Sequence, residues 1–249
     1  MAEKYNVKIN KGERVDDLHR NGYLLIQDPE KFCFGIDAVL LAGYAKMKKN
    51  EIALDMCTGT GVIPILMEAK TDGEQFVGVE IQDDSVEMAQ RSVALNNLQD
   101  KIYIHQGDIK ELDDFYKLGT FDVVTCNPPY MPCGGGIVND YSPKAIARHE
   151  IMCTLDDVMG AADKMLRVGG RMYMVHRPQR LPQIFNTATS HHLEPKRLRF
   201  VHPYVEKEPT LVLMEFVKGG KPMLKVEPPL IIYLVNGEYT SEIRDIYYN

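Results

Sequence analysis

The sequence has no CxxC pair: its five cysteines, at 33, 57, 126, 133 and 153, are an odd number scattered along the chain. That spacing supports neither a disulfide framework nor a zinc knuckle, and no metal site is expected. No window approaches the roughly 18 uninterrupted apolar residues of a membrane span, and the start, MAEKYNVKINKGERVDD, lacks the apolar stretch of a secretory leader. A cytoplasmic protein is the expectation. Internal repeats and low-complexity tracts are also missing. Basic charge is scarce: the formal net charge is −6, which taken alone argues against a nucleic-acid partner. What is present, 249 residues of which 45% are apolar, is enough for a substantial core in one domain with decorations.

The charge is uneven. Between Arg171 and Lys207 seven basic residues (Arg171, Arg177, Arg180, Lys196, Arg197, Arg199 and Lys207) face two acids (Glu194 and Glu206), so this stretch carries +5 and the remainder −11. Lys196, Arg197 and Arg199 lie too close together to be all buried in a core, and Arg177 and Arg180 flank Pro178 just after a strand end. If nucleic acid is bound, this segment is where phosphate contacts are expected.

From residue 51 short apolar runs alternate with helical patterns, the signature of βα units stacked into a parallel sheet. EIALDM (51–56), FVGVE (76–80), KIYIHQ, FDVVTC and RMYMV read as strands. GVIPILMEAK (61–70) reads as a helix with Pro64 in its first turn, where the missing N–H matters least. DDSVEMAQRSVALNNL (83–98) and TLDDVMGAADKML (154–166) are further helices, with Gly169-Gly170 as the stop of the second. Residues 197–217 read as a closing pair of strands. We divide the chain into an N-terminal strand and helix covering the cofactor site (1–50), a core (51–217) and an extended C-terminal extension with an Asn236-Gly237 turn (218–249). GYLLIQ (22–27) is the strand of the first part and FCFGIDAVLLAGYAKM (32–47) its helix.

ALDMCTGTGV sets Asp55 at a strand end and Gly59 and Gly61 in the loop that enters the next helix. Glycines let backbone approach a ligand closely, so a nucleoside-type cofactor can lie across the carboxyl ends of the strands. A dinucleotide fingerprint would need a third glycine where Pro64 stands, and Asp55 would repel a pyrophosphate. A cofactor with a cationic amino-acid end fits better, and S-adenosylmethionine is the common one. Glu80 closes the second strand, where an acid can accept both ribose hydroxyls, and Asp108 follows the third, placed to take an adenine amino group or to cap a helix. After the fourth strand comes TCNPPYMP. Pro128 drives Asn127 toward extended geometry, and neither proline has an N–H, so the loop offers acceptors and few donors. The Asn127 side-chain oxygen and the Pro128 carbonyl suit a substrate that donates two hydrogen bonds, an NH2 group, with Tyr130 as a stacking face.

NPPY after this glycine loop resembles the amino-methyltransferases, which act on exocyclic NH2 of adenine or cytosine or on the glutamine amide of release factors. QDPEKFCFGIDAVLLA, AIARHE, RPQRL, LEPKRLRFVHP and PPLIIYLVNGEYT are more specifically similar to the bacterial tRNA1(Val) adenine N6-methyltransferase family, along nearly the whole chain. The resemblance implies an α/β class I Rossmann-like fold, a largely parallel seven-stranded sheet with helices on both faces, and methyl transfer from S-adenosylmethionine to N6 of adenine 37 in tRNA. It implies a catalytic set of Asn127, Pro128, Pro129 and Tyr130. The cofactor set is Asp37, Asp55, Cys57, Thr58, Gly59, Gly61, Glu80, Ile81, Asp108, Ile109 and Asn127. Arg148, Arg177, Arg180, Lys196, Arg197 and Arg199 are the expected RNA contacts, with Gly134, Gly135 and Gly136 in a lid beside the base. Cys57 departs from the pattern, since many members have glycine there. Two other readings stay open: a glutamine methyltransferase of release factors, and a non-catalytic protein that binds S-adenosylmethionine or RNA.

Overall fold

The computed structural model describes residues 6–31, 33–128 and 153–248. An antiparallel hairpin, β1 (Arg14–Asp17) with β2 (Leu24–Gln27), comes first. It hangs on the third helix, because Ser92 Oγ and Asn96 Oδ1 accept the Ile26 and Leu24 amides at 3.0 and 2.8 Å. The hairpin's first strand was not foreseen. Next comes α1 (Ile36–Tyr44), which starts after Gly35 and so is shorter than the expected 32–47 span; Phe32 lies outside the described residues.

The core then alternates as expected: β3 (Ile52–Met56), α2 (Val62–Lys70), β4 (Gln75–Glu80), α3 (Asp83–Leu95), β5 (Ile102–Gln106), a 3-10 turn (Ile109–Asp114) and β6 (Phe121–Cys126). After the segment that is not described come α4 (Leu155–Met165), β7 (Leu166–His176), a short 3-10 turn, α5 (Leu181–Ser190), β8 (Leu193–His202) and β9 (Leu211–Lys218). Two short strands, β10 (Lys225–Val226) and β11 (Leu230–Ile231), pair one after the other along the outer edge of β8. The sheet therefore holds nine strands among the described residues: the seven expected, in the order β8-β9-β7-β6-β3-β4-β5, and two from the C-terminal extension. From β7 to β5 all pairs are parallel, and β9 is antiparallel to both neighbours.

The parallel strands read as unbroken apolar runs because both their faces are covered. Ala53, Phe76, Val123 and Tyr173 face a core shared with α1, α2 and α3, whereas Leu54, Val77, Val124 and Met172 face one shared with α4 and α5. The chain runs outward from β3 through β4 to β5, then returns to place β6 on the other flank of β3. At such a reversal the connections diverge and leave a crevice beyond the carboxyl ends of the strands.

Two local expectations are corrected. Gly169 and Gly170 do not stop α4. That helix begins with a capping box between Thr154 and Asp157 and ends at Met165, and Leu166 turns directly into β7. The glycines sit where β7 shifts register against β6, Phe121 pairing with Leu166 but Val123 with Arg171. A Cβ on Gly170 would stand 2.9 Å from the Arg167 carbonyl oxygen, so close backbone approach explains that glycine. The second correction is a terminal helix, α6 (Ser241–Tyr248), where only extended chain was expected. Ile243, Ile246 and Tyr247 turn one face of this eight-residue helix onto the core, and remote cations hold its last carbonyls. Arg20 Nη2 donates to Asp245 O at 2.8 Å and Lys70 Nζ donates to Ile246 O at 2.6 Å. The Asn236-Gly237 turn is as expected, with Gly237 at φ +83° and Tyr233 bridged to Tyr239.

Candidate active site

The carboxyl ends of β3, β4, β5 and β6 line up, since Met56 pairs with both Val79 and Cys126 and Glu80 pairs with Gln106. The loops carrying Cys57–Gly61, Ile81, Asp108 and Asn127 thus open on one side of the sheet. Gly59 and Gly61 are left-handed, at φ +55° and +81°, and a Cβ on Gly59 would meet nothing within 4 Å. The loop therefore turns bare backbone toward open space.

Asp55 is 2% exposed. Its Oδ1 accepts from Thr125 Oγ1 at 2.6 Å, while Oδ2 is buried with no partner. Burial chiefly, opposed by Thr125 and reinforced by the negative charge of Glu80, pushes its carboxyl up to about 7. The Thr58 hydroxyl favours the charged form, although its oxygen too is buried without a hydrogen bond of full geometry. Thr125 was not foreseen as a site residue. It ends an apolar run and reveals itself only through its pairing with Asp55 across the strands.

An unpartnered buried carboxylate oxygen beside a glycine loop fits an ammonium group, such as the amino-acid end of S-adenosylmethionine. The linkage has a definite sign. Between about 3.8 and 7 the folded chain holds a proton that the unfolded chain has released, so this group's contribution to stability falls as pH rises through that window. A cation beside Oδ2 favours the ionised form. Affinity for S-adenosylmethionine is therefore expected to rise with pH up to about 7 and then level off, with proton release on binding below it. Calorimetry at several pH values, in buffers of different ionisation enthalpy, measures both, and a flat profile would remove Asp55 from the cofactor site.

Glu80, 6% exposed, is bound more deeply into the chain than a group at a ligand edge should be. Oε2 accepts from the Gly59 amide at 3.0 Å, and Oε1 from the Ile81 and Gln82 amides at 2.9 and 3.1 Å. It fastens the glycine loop to the end of β4, and each oxygen keeps acceptor capacity for a hydroxyl. Asp108 caps the 3-10 turn through the Lys110 amide at 3.0 Å and pairs with Lys110 Nζ at 3.2 Å. Ile109 turns its side chain into the core, so only its backbone could reach a ligand. Asp37 sits in the first turn of α1, with Oδ1 accepting from the Ala38 amide at 2.9 Å. Asn127 is half-buried and Pro128 buried directly after β6. Pro129, Tyr130, the glycines of the expected lid and Arg148 lie outside the described residues.

Cys57 adopts φ +59°, the left-handed region that glycine occupies at little cost. The Cys126 thiol beside it chiefly, opposed by Cys153 and reinforced by burial, pushes the Cys57 thiol well up, so it sits as a neutral group. Holding an ordinary residue in this conformation costs on the order of 1–3 kcal/mol. Cys57→Gly is expected to stay within about 1 kcal/mol of the parent in urea unfolding, relief of strain offsetting the lost thiol. Cys57→Val, β-branched at a positive φ, is expected to lose about 2 kcal/mol or more. Equal midpoints for the two variants would show that the loop carries no strain.

The basic segment does not form one open patch. Arg197 lies 18% exposed in β8, donating to Glu215 at 2.6 Å and Glu227 at 2.9 Å with its guanidinium 4.4 Å from the Tyr44 ring centre. Arg199, 17% exposed, forks onto Glu242 of α6 at 2.6 and 2.8 Å. Arg171 is paired with Glu51. The closeness of Arg197 and Arg199 in sequence did not leave them open, because carboxylates of later elements fold over them. Of the remaining expected contacts, Lys196 Nζ donates to Lys221 O, and Arg177 Nη1 to Thr210 O just before β9. Arg180 lines a concavity of about 410 Å3 with Thr154, Gln183 and Thr187.

A solved structure with the same plan is a predicted O-methyltransferase from Agrobacterium tumefaciens, at TM-score 0.70 and 20% identity, covering 85% of this chain and 95% of that one. The architecture is that of the class I S-adenosylmethionine-dependent methyltransferases. Residues 47–203 match the family described as methyltransferase domain, and the chain belongs to it. A protein of Phocaeicola vulgatus named tRNA1(Val) (adenine(37)-N6)-methyltransferase is 29% identical over 73% of this chain and 75% of its own length. A ribosomal protein uL3 glutamine methyltransferase of Bordetella pertussis is 36% identical, but over only 46% of this chain and 35% of its own length. Among the described residues no helix is long and apolar enough to cross a membrane.

Proposed function

We propose that the protein methylates N6 of an adenine in tRNA, position 37 of tRNA1(Val), with S-adenosylmethionine as donor. The observation that carries this reading is the Asn127-Pro128 pair, delivered by β6 beside the Asp55–Glu80 crevice, in a chain similar over most of its length to a protein of that name. Asp55, the amides of the glycine loop and Glu80 would hold the cofactor, which supplies an electrophilic methyl group when bound. The Asn127 side-chain oxygen and the Pro128 carbonyl would accept the two N–H groups of the adenine amine. Such an amine is a poor nucleophile, its lone pair delocalised into the ring. Two acceptors in fixed positions polarise the NH2 and aim its nitrogen, so positioning and electrostatics supply most of the acceleration. Proton loss follows methyl transfer, and water can take the proton without a strong base in the chain.

The glutamine reading shares the Asn-Pro-Pro-Tyr chemistry but corresponds to under half of this chain. Incubation with labelled S-adenosylmethionine and, separately, total tRNA, release factor and ribosomal protein uL3 separates the two. Label in N6-methyladenosine of tRNA is expected, and label in protein alone would overturn the reading.

A further inference from the structure

The C-terminal extension, with Tyr204 and His19 at either end, forms a row of aromatic rings that the methyl-transfer site does not use. Tyr204, Tyr233, Tyr239, Tyr247, Tyr248 and His19 follow one another with centroid separations of 5.5, 5.4, 5.5, 6.0 and 5.1 Å. The middle three are nearly parallel, with interplanar angles of 16° and 13°. Tyr233, Tyr239 and Tyr247 also pack on the hydrophobic core, which makes them a rigid wall. Holding the extension in place would account for those three rings alone. The two end tyrosines stay open, Tyr204 at 38% and Tyr248 at 50% exposure. Val205 and Leu234, next in sequence to Tyr204 and Tyr233, are 69% and 46% exposed, an apolar surface that water does not favour. Tyr233, Tyr239 and Tyr248 line a concavity of about 320 Å3 together with Gly237, Glu238 and Arg244.

The row begins on the catalytic side of the sheet, at Tyr204 and Tyr233, and runs from there along the flank to Tyr248 and His19, which lie toward the amino ends of the strands near Lys70. β8 runs parallel to β6 and β7, so His202, and after it Tyr204, emerge at the same ends of the strands as Asn127. β11 runs parallel to β8 and delivers Tyr233 there as well. With about 4.8 Å per strand step, the three steps from β6 to β8 span about 14 Å. That is within reach of a neighbouring nucleotide of a strand whose target base lies at Asn127. Arg244 and Glu238 contribute a cation and an acceptor on the concavity, and their mutual pair at 3.0 Å is exposed and readily exchanged.

We propose that this tyrosine row is a second nucleobase site, which stacks an unpaired base of the RNA substrate while another base is presented to Asn127. Flat aromatic faces take any base by stacking, and the site would add affinity without demanding one sequence. It also resolves how an acidic chain whose Arg197 and Arg199 are committed internally can hold RNA: part of the binding is stacking and not phosphate contact. The inference rests on the RNA reading given above.

The chain contains no tryptophan, so its intrinsic emission comes from its thirteen tyrosines, five of them in this row, and the alanine variants assign the share that the row contributes. The full chain is titrated with a short hairpin RNA bearing an anticodon-type loop, and with the same hairpin carrying abasic residues beside the target adenine. Quenching of tyrosine emission is expected with the first RNA. Tyr248→Ala and Tyr204→Ala are each expected to weaken hairpin binding by about 5- to 150-fold. Tyr248→Phe should bind as the parent does, the abasic RNA should reproduce the loss, and S-adenosylmethionine affinity should not move. If Tyr248→Ala fails to fold, Tyr204→Ala and the abasic RNA carry the test with the parent protein. Parent-like binding by both alanine variants, in a protein that binds and methylates RNA, overturns the second site and leaves the RNA reading standing. A parent protein that neither binds nor methylates RNA overturns both.

Discussion

Replacing Asn127 with alanine is expected to lower turnover by about 10²–10³ while S-adenosylmethionine affinity stays close to that of the parent. The magnitude follows by analogy with removal of one preorganised donor from an oxyanion hole, here with donor and acceptor exchanged. Asn127 follows β6 directly, and the β6–β3 pairing fixes where its backbone leaves the sheet. The loss therefore belongs to the orientation of the substrate amine and not to assembly of the cofactor crevice. Single-turnover rates with saturating cofactor and tRNA measure it. A parent-like rate would reduce the Asn-Pro-Pro-Tyr stretch to a turn.

Glu80→Ala is expected to damage both cofactor binding and stability. A simple ligand contact at a rim would be lost without cost to the fold, but this carboxylate accepts three backbone amides from two loops. A hydrogen bond to a charged group contributes about 1.5–3 kcal/mol, and a buried donor left unpaired costs about 1–3 kcal/mol. Cofactor affinity should drop at least about tenfold, and the unfolding midpoint should fall with it. Calorimetry and urea unfolding on the same preparation check the pair. Weakened binding with unchanged stability would mean that the amides find water and that Glu80 acts on the ligand alone.

The sheet was legible because parallel strands covered on both faces need apolar residues at nearly every position, and β3, β4 and β6 have them. Asp55, Glu80 and Asp108 were legible for the complementary reason: an acid that ends such a run stands at a carboxyl end of the sheet. What escaped notice depended on distant partners. Arg197 and Arg199 looked like an exposed basic cluster, and the acids that claim them lie 18, 30 and 43 positions away. The same is true of α6, whose carbonyls are held by Arg20 and Lys70 from the other end of the chain. Gly169-Gly170 matched the chemistry of a helix stop, but a register shift between β6 and β7 needed the same conformational freedom. Cys57 shows the reverse, since the resemblance marked it as standing in for glycine and its positive φ gives the physical reason.

The pairing of β10 and β11 along β8 has a consequence for solubility. β8 is ten residues long, and its outer row of amides and carbonyls would otherwise be a template for strand addition by another molecule. The extension covers that row with two strands of two residues each, and Pro228-Pro229 between them lacks the donors that a further strand would need. A chain cut after Lys218 would keep Asp55, Glu80 and Asn127 but bare this flank, and it would be prone to polymerise through β8 before its chemistry could be assayed.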